Sequence, residues 1–410
     1  MLPLSKRPTW TRAKPGAKPD GFASLTWVST PRRALRTCGA SSTACWPDAT
    51  TTEQAQRPPR LMPEAARGCA MDLRDLAWMV RHLDEPVSAV HLFPDGGLIA
   101  GGWDGCVKRW DEQGELLWSA STPDRVMAVT PWGDTLALTA GLHVVVLDLA
   151  TGEERWSRPL EGSADLQSVV GEHLLTTSSV YDIEHFDFLE SAFWLHDANG
   201  EELHVHRLDE RPWDVIEHDG ELLFGLGRPR GGLLATKDGR TFEHRPIAEL
   251  AVLAMAHDAA GPLVLSSLGD LVRINGDHVE GLANADAMHT GDGRVFLSDE
   301  AGGFACIDRG VAWSVKGAPV TAAAAVEGED GFVAVARWSG AQGHLELVET
   351  DGTSLVSHEV AKIEAMTAEG SRLAMGTQAG DVIVLDAPML RRRLARDEDE
   401  TETVDDEAAA

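Results

Sequence analysis

Histidines and carboxylates are the residues of this chain that could bind a metal ion or act as an acid–base pair. His204 and His206 alternate on a short strand-like run and share one face, but no third ligand stands near them. A second group lies in the stretch SSVYDIEHFDFLESAF and consists of Asp182, Glu184, Asp187 and Glu190. In so acidic a chain we interpret both groups as solvated surface. The sequence therefore predicts no catalytic or metal-binding residue.

A glycine-rich stretch, GLGRPRGG at 225–232, could hold a phosphate if a helix began directly after it. The residues that follow, LLATKDG, have the apolar pattern of another strand instead. The motifs GxxxxGK[ST], HExxH and GxSxG do not occur. We therefore predict a turn between two strands, and no cofactor-binding residue.

Short apolar strands, separated by glycine and aspartate turns, are the elements that must position any functional residue. From Ala77 onward a turn followed by an apolar strand recurs about every 39 residues, from DGGLIAGGWDG to GSRLAMGTQAGD. A second hairpin follows in most units and is clearest in VVVLDLATGEERW at 144–156. Each unit thus contains four antiparallel strands, a to d. Such sheets have two apolar faces and must stack around an axis.

The two ends of the repeat region complement each other. The last unit has strands a, b and c without d, whereas residues 76–83 stand alone before the first unit and match its d strand. We predict an all-β fold: a single β-propeller over residues 75–388, with eight four-stranded blades and a ring closed by the N-terminal strand. Seven blades is the alternative, because the unit at 250–283 is weak in its outer strands.

A recurring tryptophan follows the turn between strands c and d. Trp118, Trp156 and Trp313 each stand three or four residues after the turn glycine. Trp78 is predicted to take the same place in the strand that closes the ring. We expect these indoles to pack between neighbouring blades.

The hairpin LDLATGEERW resembles the repeat of PQQ-like (quinoprotein-type) propellers, whose pattern places are taken by Asp148, Thr151, Gly152 and Trp156. The first unit, in which Trp110-Asp111 ends strand c, is similar to a WD40 repeat. A resemblance to PQQ-dependent dehydrogenases would imply export, adjacent cysteines over the cofactor, Ca²⁺ and an Asp base. The chain has no Cys-Cys pair and no apolar signal-like run at its start. The repeat is therefore interpreted as structural, and no cofactor is expected.

Charge is distributed unevenly along the chain. Residues 1–70 hold 11 of the 36 Lys and Arg but only 4 of the 65 Asp and Glu, so the repeat region is strongly acidic. An acidic body repels nucleic acid and anionic membranes, and neither is expected as a partner. Five scattered cysteines without a CxxC pair are typical of a reducing compartment. We expect a cytoplasmic protein.

Two terminal segments lie outside the predicted ring. Residues 1–70 are rich in Arg, Pro, Ser, Thr and Ala and lack a strand or helix period. They are predicted to be disordered, or to be an extension upstream of a true start at Met71. Residues 389–410 are predicted to form a disordered tail, first arginine-rich and then acidic.

In a propeller the b–c turns and d–a connections share one end, and this end holds the residues that we expect to contact a partner. Aromatic and arginine side chains dominate interface hot spots. The candidates are Trp103, Asp104, Tyr181, Phe186, Arg228, Arg230, Arg337 and Trp338. The alternative is that the aromatic side chains pack beneath their own loops.

The sequence favours a non-enzymatic, monomeric propeller that acts as a platform for binding another protein. The competing hypothesis is an enzyme or small-ligand binder that uses the central channel, which would need polar side chains on the innermost strands. Those strands read AVHLF, MAVTP, QSVVG, WDVIE, LAMAH, DAMHT, TAAAA and EAMTA. They are mostly small or apolar, which disfavours a channel site.

Overall fold

Eight four-stranded antiparallel sheets make up the computed structural model, which describes residues 72–185, 187–247 and 250–396. The predicted terminal segment 1–70 and residues 397–410 lie outside these ranges. The described chain begins with a one-turn helix, α1 (Leu73–Leu76), and a strand, β1 (Met79–His82). It then forms the sheets in sequence, one blade after another.

Blades one to four are consecutive along the chain. Blade one contains β2 (Val87–Leu92), β3 (Leu98–Gly102), β4 (Cys106–Trp110) and β5 (Leu116–Ser121). Blade two contains β6 (Val126–Trp132), β7 (Thr135–Ala140), β8 (His143–Asp148) and β9 (Glu154–Pro159). Blade three contains β10 (Ser163–Val170), β11 (His173–Asp182), β12 (Asp187–His196) and β13 (Glu202–Leu208). Blade four contains β14 (Pro212–His218), β15 (Glu221–Leu226), β16 (Leu233–Thr236) and β17 (Glu243–Arg245).

Blades five to eight continue the same order. Blade five contains β18 (Val252–Asp258), β19 (Gly261–Ser266), β20 (Leu271–Arg273) and β21 (His278–Val279). Blade six contains β22 (Ala285–Gly291), β23 (Arg294–Asp299), β24 (Gly303–Ile307) and β25 (Val311–Lys316). Blade seven contains β26 (Val320–Ala325), β27 (Val333–Trp338), β28 (Gly343–Val348) and β29 (Ser354–Val360). Blade eight contains β30 (Ile363–Glu369), β31 (Arg372–Thr377) and β32 (Asp381–Asp386).

The fourth strand of blade eight is β1, from the other end of the propeller. It pairs antiparallel with β32, with Met79 opposite Val384 and His82 opposite Asp381. The prediction of eight blades closed by the N-terminal strand is therefore confirmed, and the seven-blade alternative is wrong. The weak unit at 250–283 is a complete blade whose outer strands have only three and two residues.

In blades one, two and three the c–d turn is held by an aspartate at the end of strand c. In blade two the Asp148 carboxylate accepts hydrogen bonds from the backbone N–H of Ala150 (3.0 Å) and of Thr151 (2.9 Å). Gly152 completes the turn at φ +74°, a conformation that glycine adopts without strain. A hydrogen bond from Arg155 and these backbone donors lower the pKa of Asp148 to about 2.

Tryptophans after these turns fasten three blades to the blade that follows, as expected from the sequence. The indole N–H of Trp118 donates to the Leu149 carbonyl (3.0 Å) of blade two. That of Trp156 donates to the Ala198 carbonyl (3.1 Å) of blade three, and that of Trp313 to the Thr350 carbonyl (3.0 Å) of blade seven. Each ring covers the turn glycine of the neighbouring blade, so the turn sequence of one blade and the tryptophan of another form one packing unit.

In β1, the strand that closes the ring, a methionine stands at the position of this tryptophan. The prediction that Trp78 takes this position is therefore wrong. Met79 pairs with Val384 as Trp156 pairs with Val146, and its sulfur lies over the turn glycine of blade one, Gly114. Trp78 precedes the strand and packs beneath the guanidinium of Arg372. The register of β1 against β32 therefore differs by one residue from the expected one.

Residues 387–396 form a helix, whereas the sequence was interpreted as a disordered tail from residue 389 onward. Leu390 is fully buried among residues of blades seven and eight. Arg391 makes a two-pronged ion pair with Glu349, with N–O distances of 2.6 and 2.8 Å. The guanidinium of Arg393 donates to the Ala77 carbonyl (3.0 Å), so the two ends of the described chain meet at blade eight.

Candidate functional site

The two ends of the propeller differ, and we call the end that carries the b–c turns and d–a connections the b–c face. Every innermost strand has a register shift near this face, after its first residue pair or, in blade three, after its second. The extra residues are β-bulges that ring the channel mouth: Ser88, Met127, Asp165 with Leu166, Trp213, Leu253, Asp286, Thr321 and Glu364. A bulge re-aims side chains and ends regular pairing.

Exposed apolar side chains are concentrated on the b–c face. Ten large hydrophobic residues are exposed in the described part of the chain, and six lie at this face: Met127, Leu142, Val180, Tyr181, Ile183 and Leu268. The other four, Leu116, Leu117, Val169 and Val311, lie towards the opposite end. Scattered apolar residues are normal on a surface, but their accumulation around one rim is typical of a contact surface.

The most prominent element of the b–c face is the hairpin of blade three. Its strands, β11 and β12, have ten residues each and pair as far as Asp182 and Asp187. Near its tip the ring of Phe188, 5% exposed, lies edge-on to Tyr181 (5.1 Å) and to Trp213 (5.9 Å). The guanidinium of Arg211 lies 4.4 Å from the Phe188 ring centre and 4.8 Å from that of Trp213. The outer end of the hairpin is thus packed against Arg211 and Trp213.

The positive charge of Arg211 is balanced by a buried carboxylate. Asp165 accepts a hydrogen bond from the Arg211 guanidinium at 2.7 Å and a second from the Ser179 hydroxyl. Burial nevertheless dominates and raises the pKa of Asp165 to about 6. The group therefore titrates close to the physiological range.

We expect Asp165 to make the protein more stable as the pH falls from 7 towards 4. Its folded-state pKa of about 6 exceeds the ordinary value of 3.8, so the folded state binds a proton before the unfolded state does. This contribution to the free energy of unfolding is present at low pH and is lost as the pH rises through 6. Relative to Asp165→Asn, the wild type should gain up to about 1.4 kcal/mol per pH unit in urea unfolding. A pH-independent difference would mean that the carboxylate stays ionised.

Trp103 and Asp104 lie together in the b–c turn of blade one. Trp103 is half-buried beneath the guanidinium of Arg125, which is 3.8 Å from the ring centre. Asp104 is exposed, and its carboxylate accepts from the backbone N–H of Cys106 (2.9 Å). This pair is therefore at the face, with the indole partly covered.

Tyr181, Arg228 and Arg230 belong to neighbouring blades three and four. Both arginines are exposed, and Arg230 forms an ion pair with Asp209 (3.0 Å). The loop that carries them packs against Trp213, because a Cβ added at Gly227 would stand 2.5 Å from the indole nitrogen. Phe186 lies outside the described residues.

Arg337 does not belong to the exposed face, which corrects its assignment as a partner-contacting residue. It is 2% exposed and forms an ion pair with Glu346 (2.8 Å). One guanidinium nitrogen also donates to the carbonyls of Gly302 (2.9 Å) and Ala318 (2.7 Å) of the preceding blade. The side chain joins blades six and seven from within.

Trp338 is half-buried at the edge of a shallow groove of about 660 Å³ between blades seven and eight. Small, amide and charged side chains line the rest of the groove, among them Gln342, Glu359, Lys362 and Gln378. The predicted residues thus occupy three separate sectors of the b–c face. Other residues of the same face were not among the predicted candidates: Met127, Ile183, Phe188, Arg211 and Trp213.

The channel mouth contains a depression of about 370 Å³ whose polar side chains are Ser88, His289, Thr321 and Glu364. Glu364 is paired with Lys362 at 3.0 Å. His289 lies 3.1 Å from the Ser298 hydroxyl, and burial lowers the pKa of His289 to about 4, so the imidazole is neutral. Among the described residues no group of three or more His, Cys, Asp or Glu could hold a metal ion. No helix in the same ranges is long and apolar enough to cross a membrane.

No family model matches the sequence, and no curated protein is similar to it. Solved structures do match. BamB from Moraxella catarrhalis has a TM-score of 0.59 and 16% identity, covering 76% of this chain and 99% of that chain. The computationally designed Ika8 protein has a TM-score of 0.58 and 17% identity, over 74% and 97% of the two chains. Sqt1 of Saccharomyces cerevisiae has a TM-score of 0.58 and 10% identity, over 76% and 99%.

These likenesses are ones of fold. BamB is a PQQ-like propeller and Sqt1 is a WD40 propeller, so both repeat classes that the sequence resembles are found among the structural neighbours. The chain is an eight-bladed β-propeller. Its residues at the b–c face, rather than the repeat itself, must decide what it binds.

Proposed function

We propose that the protein is a non-enzymatic, monomeric interaction platform of the cytoplasm that binds another protein on its b–c face. The observation that carries this proposal is the accumulation of exposed apolar side chains on that face. Burying such side chains contributes about 25 cal/mol per Å² of apolar surface, and one partner could cover several of them together. The formal net charge of −29 disfavours nucleic acid and anionic membrane as the partner.

The packing beneath the face supports the same proposal. Aromatic rings and arginines already pack together near the tip of the blade-three hairpin and in the Trp103–Arg125 stack. A surface that is ordered before binding loses less conformational entropy when a partner docks. Polar residues such as Arg228 and Arg230 surround the apolar ones, as in the rim of a protein interface.

The structural neighbours agree with this class of function, since BamB and Sqt1 are protein-interacting propellers. The free cysteines Cys106 and Cys306 are compatible with a reducing compartment.

The test is affinity purification from the native host with three versions of the protein. One is the wild type, one carries Arg228→Glu with Trp338→Ala on the b–c face, and one carries Arg240→Glu with Leu116→Ala towards the opposite end. The four residues are at least partly exposed, so all three versions should fold alike by circular dichroism. We expect a protein that is captured by the wild type and by the control variant, and is lost from the b–c variant. Capture that is equal in all three versions would contradict the proposal.

A further inference from the structure

Five tryptophan rings of the described ranges have an arginine of the same chain over them. The guanidinium carbon lies between 3.8 and 5.8 Å from the ring centre in these pairs: Arg372 with Trp78, Arg125 with Trp103, Arg158 with Trp156, Arg207 with Trp194 and Arg211 with Trp213. Such stacking is favourable because the face of an indole ring attracts a cation. An arginine on an indole is therefore a recurring contact of this chain.

Trp338 makes no such contact within the described residues. Two of the remaining tryptophans, Trp110 and Trp118, are buried, at 3% and 7% exposure. Two others, Trp132 and Trp313, pack against aromatic rings. Trp338, in contrast, is only half-buried, borders the groove between blades seven and eight, and has neither an arginine nor a second aromatic ring against it. Its indole is therefore accessible to a cation from another molecule.

Main-chain hydrogen bonds hold the walls of this groove in place. The backbone N–H of Trp338 donates to the Pro319 carbonyl (2.9 Å) and fixes the end of β27. The backbone N–H of Gln378 donates to the Lys362 carbonyl (2.7 Å) and ties the b–c turn of blade eight to the d–a connection before it. The rest of the lining includes three exposed residues with small side chains: Ala341, Ala361 and Ala379. The groove is therefore formed before any ligand enters it.

Three exposed polar side chains of the groove have no hydrogen-bond or ion-pair partner in the part of the chain that the structure describes: Gln342, Glu359 and Gln378. The carboxylate of Glu359 can balance a cation, and both amide oxygens can accept from N–H donors. Lys362 also lines the groove, but its side chain is only 11% exposed and is paired with Glu364 at 3.0 Å. The groove thus offers an unbalanced negative charge and hydrogen-bond acceptors beside an accessible indole.

These groups fit a guanidinium better than an ammonium ion. A guanidinium is planar, stacks on an aromatic face and carries five N–H donors, enough for a carboxylate and two amide oxygens. An ammonium ion has three donors and is more strongly hydrated. The acidic character of the repeat region favours a basic partner in the same way. The side chain that matches the groove is therefore that of arginine.

We propose that the groove formed by Trp338, Gln342, Glu359 and Gln378 binds an arginine side chain of the partner protein. This inference rests on the proposed function and names a binding site and the chemistry of the partner. The guanidinium stacks on the indole of Trp338 and donates to the carboxylate of Glu359 and to the two amide oxygens. An arginine that enters a preformed site of this kind is a typical hot spot of a protein interface.

The indole N–H signals of the full-length protein in heteronuclear NMR spectra test the proposal. The Trp338→Phe variant identifies the signal of Trp338 by its disappearance. The probes are Nα-acetyl-arginine amide and Nα-acetyl-citrulline amide, which have the same shape but differ in charge. We expect the arginine probe to shift the Trp338 signal, and the citrulline probe to bind at least about tenfold more weakly, because it can neither stack as a cation nor form an ion pair.

A matched pair of variants locates the binding. Glu359→Gln removes the carboxylate of the groove, and Glu329→Gln removes one from the a–b turn of the same blade, at the opposite end. Both side chains are exposed, so both variants should fold, and both lose one negative charge. We expect Glu359→Gln to weaken binding of the arginine probe about three- to fivefold and Glu329→Gln to leave it unchanged.

An unchanged Trp338 signal, equal binding of the two probes, or an equal effect of the two variants would overturn the proposal. Free arginine that bound tenfold more tightly than the capped probe would also overturn it, because the groove would then be a site for the amino acid itself. The proposed platform function would still stand if the b–c variant lost its partner in the purification from the host. The two proposals therefore fail separately.

Discussion

Arg337→Ala is expected to lower the free energy of unfolding by about 3–5 kcal/mol, the cost of breaking a buried ion pair. The guanidinium is 2% exposed. It forms an ion pair with Glu346 and donates hydrogen bonds to two carbonyls of blade six. Alanine would leave the Glu346 carboxylate without its cation and both carbonyls without this donor. Urea unfolding followed by circular dichroism measures the loss.

Arg228→Ala is the matched control, because Arg228 is exposed on the b–c face. Its effect on stability should stay within about 0.5 kcal/mol, as for most surface substitutions. If the two arginine variants were equally stable, the buried contacts of Arg337 would contribute little to the free energy of unfolding. The residue would then return to the set of candidates for partner binding.

Gly200→Ala is expected to destabilise the propeller by about 2–4 kcal/mol, since it combines overpacking with backbone strain. The added Cβ would stand 2.6 Å from the Trp156 ring, too close for the indole to remain in place. Moving the ring would break its hydrogen bond to the Ala198 carbonyl (3.1 Å), which fastens blade two to blade three. Thermal unfolding of the variant should show the loss as a lower midpoint.

Gly133→Ala separates the two causes. Gly133 also has a positive φ, +61°, but a Cβ there would meet nothing within 4 Å. In this variant only the cost of backbone strain, about 1–2 kcal/mol, should remain. If Gly200→Ala lowered the free energy of unfolding no more than Gly133→Ala, the Trp156 ring would have moved without an energetic cost. The packing between blades two and three would then contribute less to stability than its contacts indicate.

The fold could be predicted because its signals are local and repeated. An aspartate, a glycine and a following tryptophan define the same turn in several blades, and the missing last strand indicated the closure. The one-residue error at β1 arose because Trp78 has the right residue type, whereas the register depends on pairing with Val384, far away in sequence. The C-terminal helix was missed for a related reason. Leu390 and Arg391 find their partners only once blades seven and eight are assembled.

The candidate face was only partly predictable. Arg228 and Arg337 occur in similar loops, and nothing local distinguishes an exposed guanidinium from a buried one. The difference for Arg337 lies in Glu346 on the neighbouring strand and in carbonyls of another blade. Phe188 and Trp213 were likewise separated by 25 positions before the fold brought their rings to 5.9 Å. Exposed aromatic candidates can be proposed from sequence, but their orientation depends on tertiary contacts.

The seam between β1 and β32 has a consequence during protein synthesis. His82 and Asp381 meet across it although 299 positions separate them in the chain. At about 5–20 residues per second, a ribosome needs roughly 15–60 s to deliver the second strand after the first. Throughout that interval the growing chain has an open edge, which is prone to mispairing and to recognition by chaperones and proteases. Only a chain that has been translated through its last blade can therefore pair β1 with β32, and a truncated chain keeps both strand edges open.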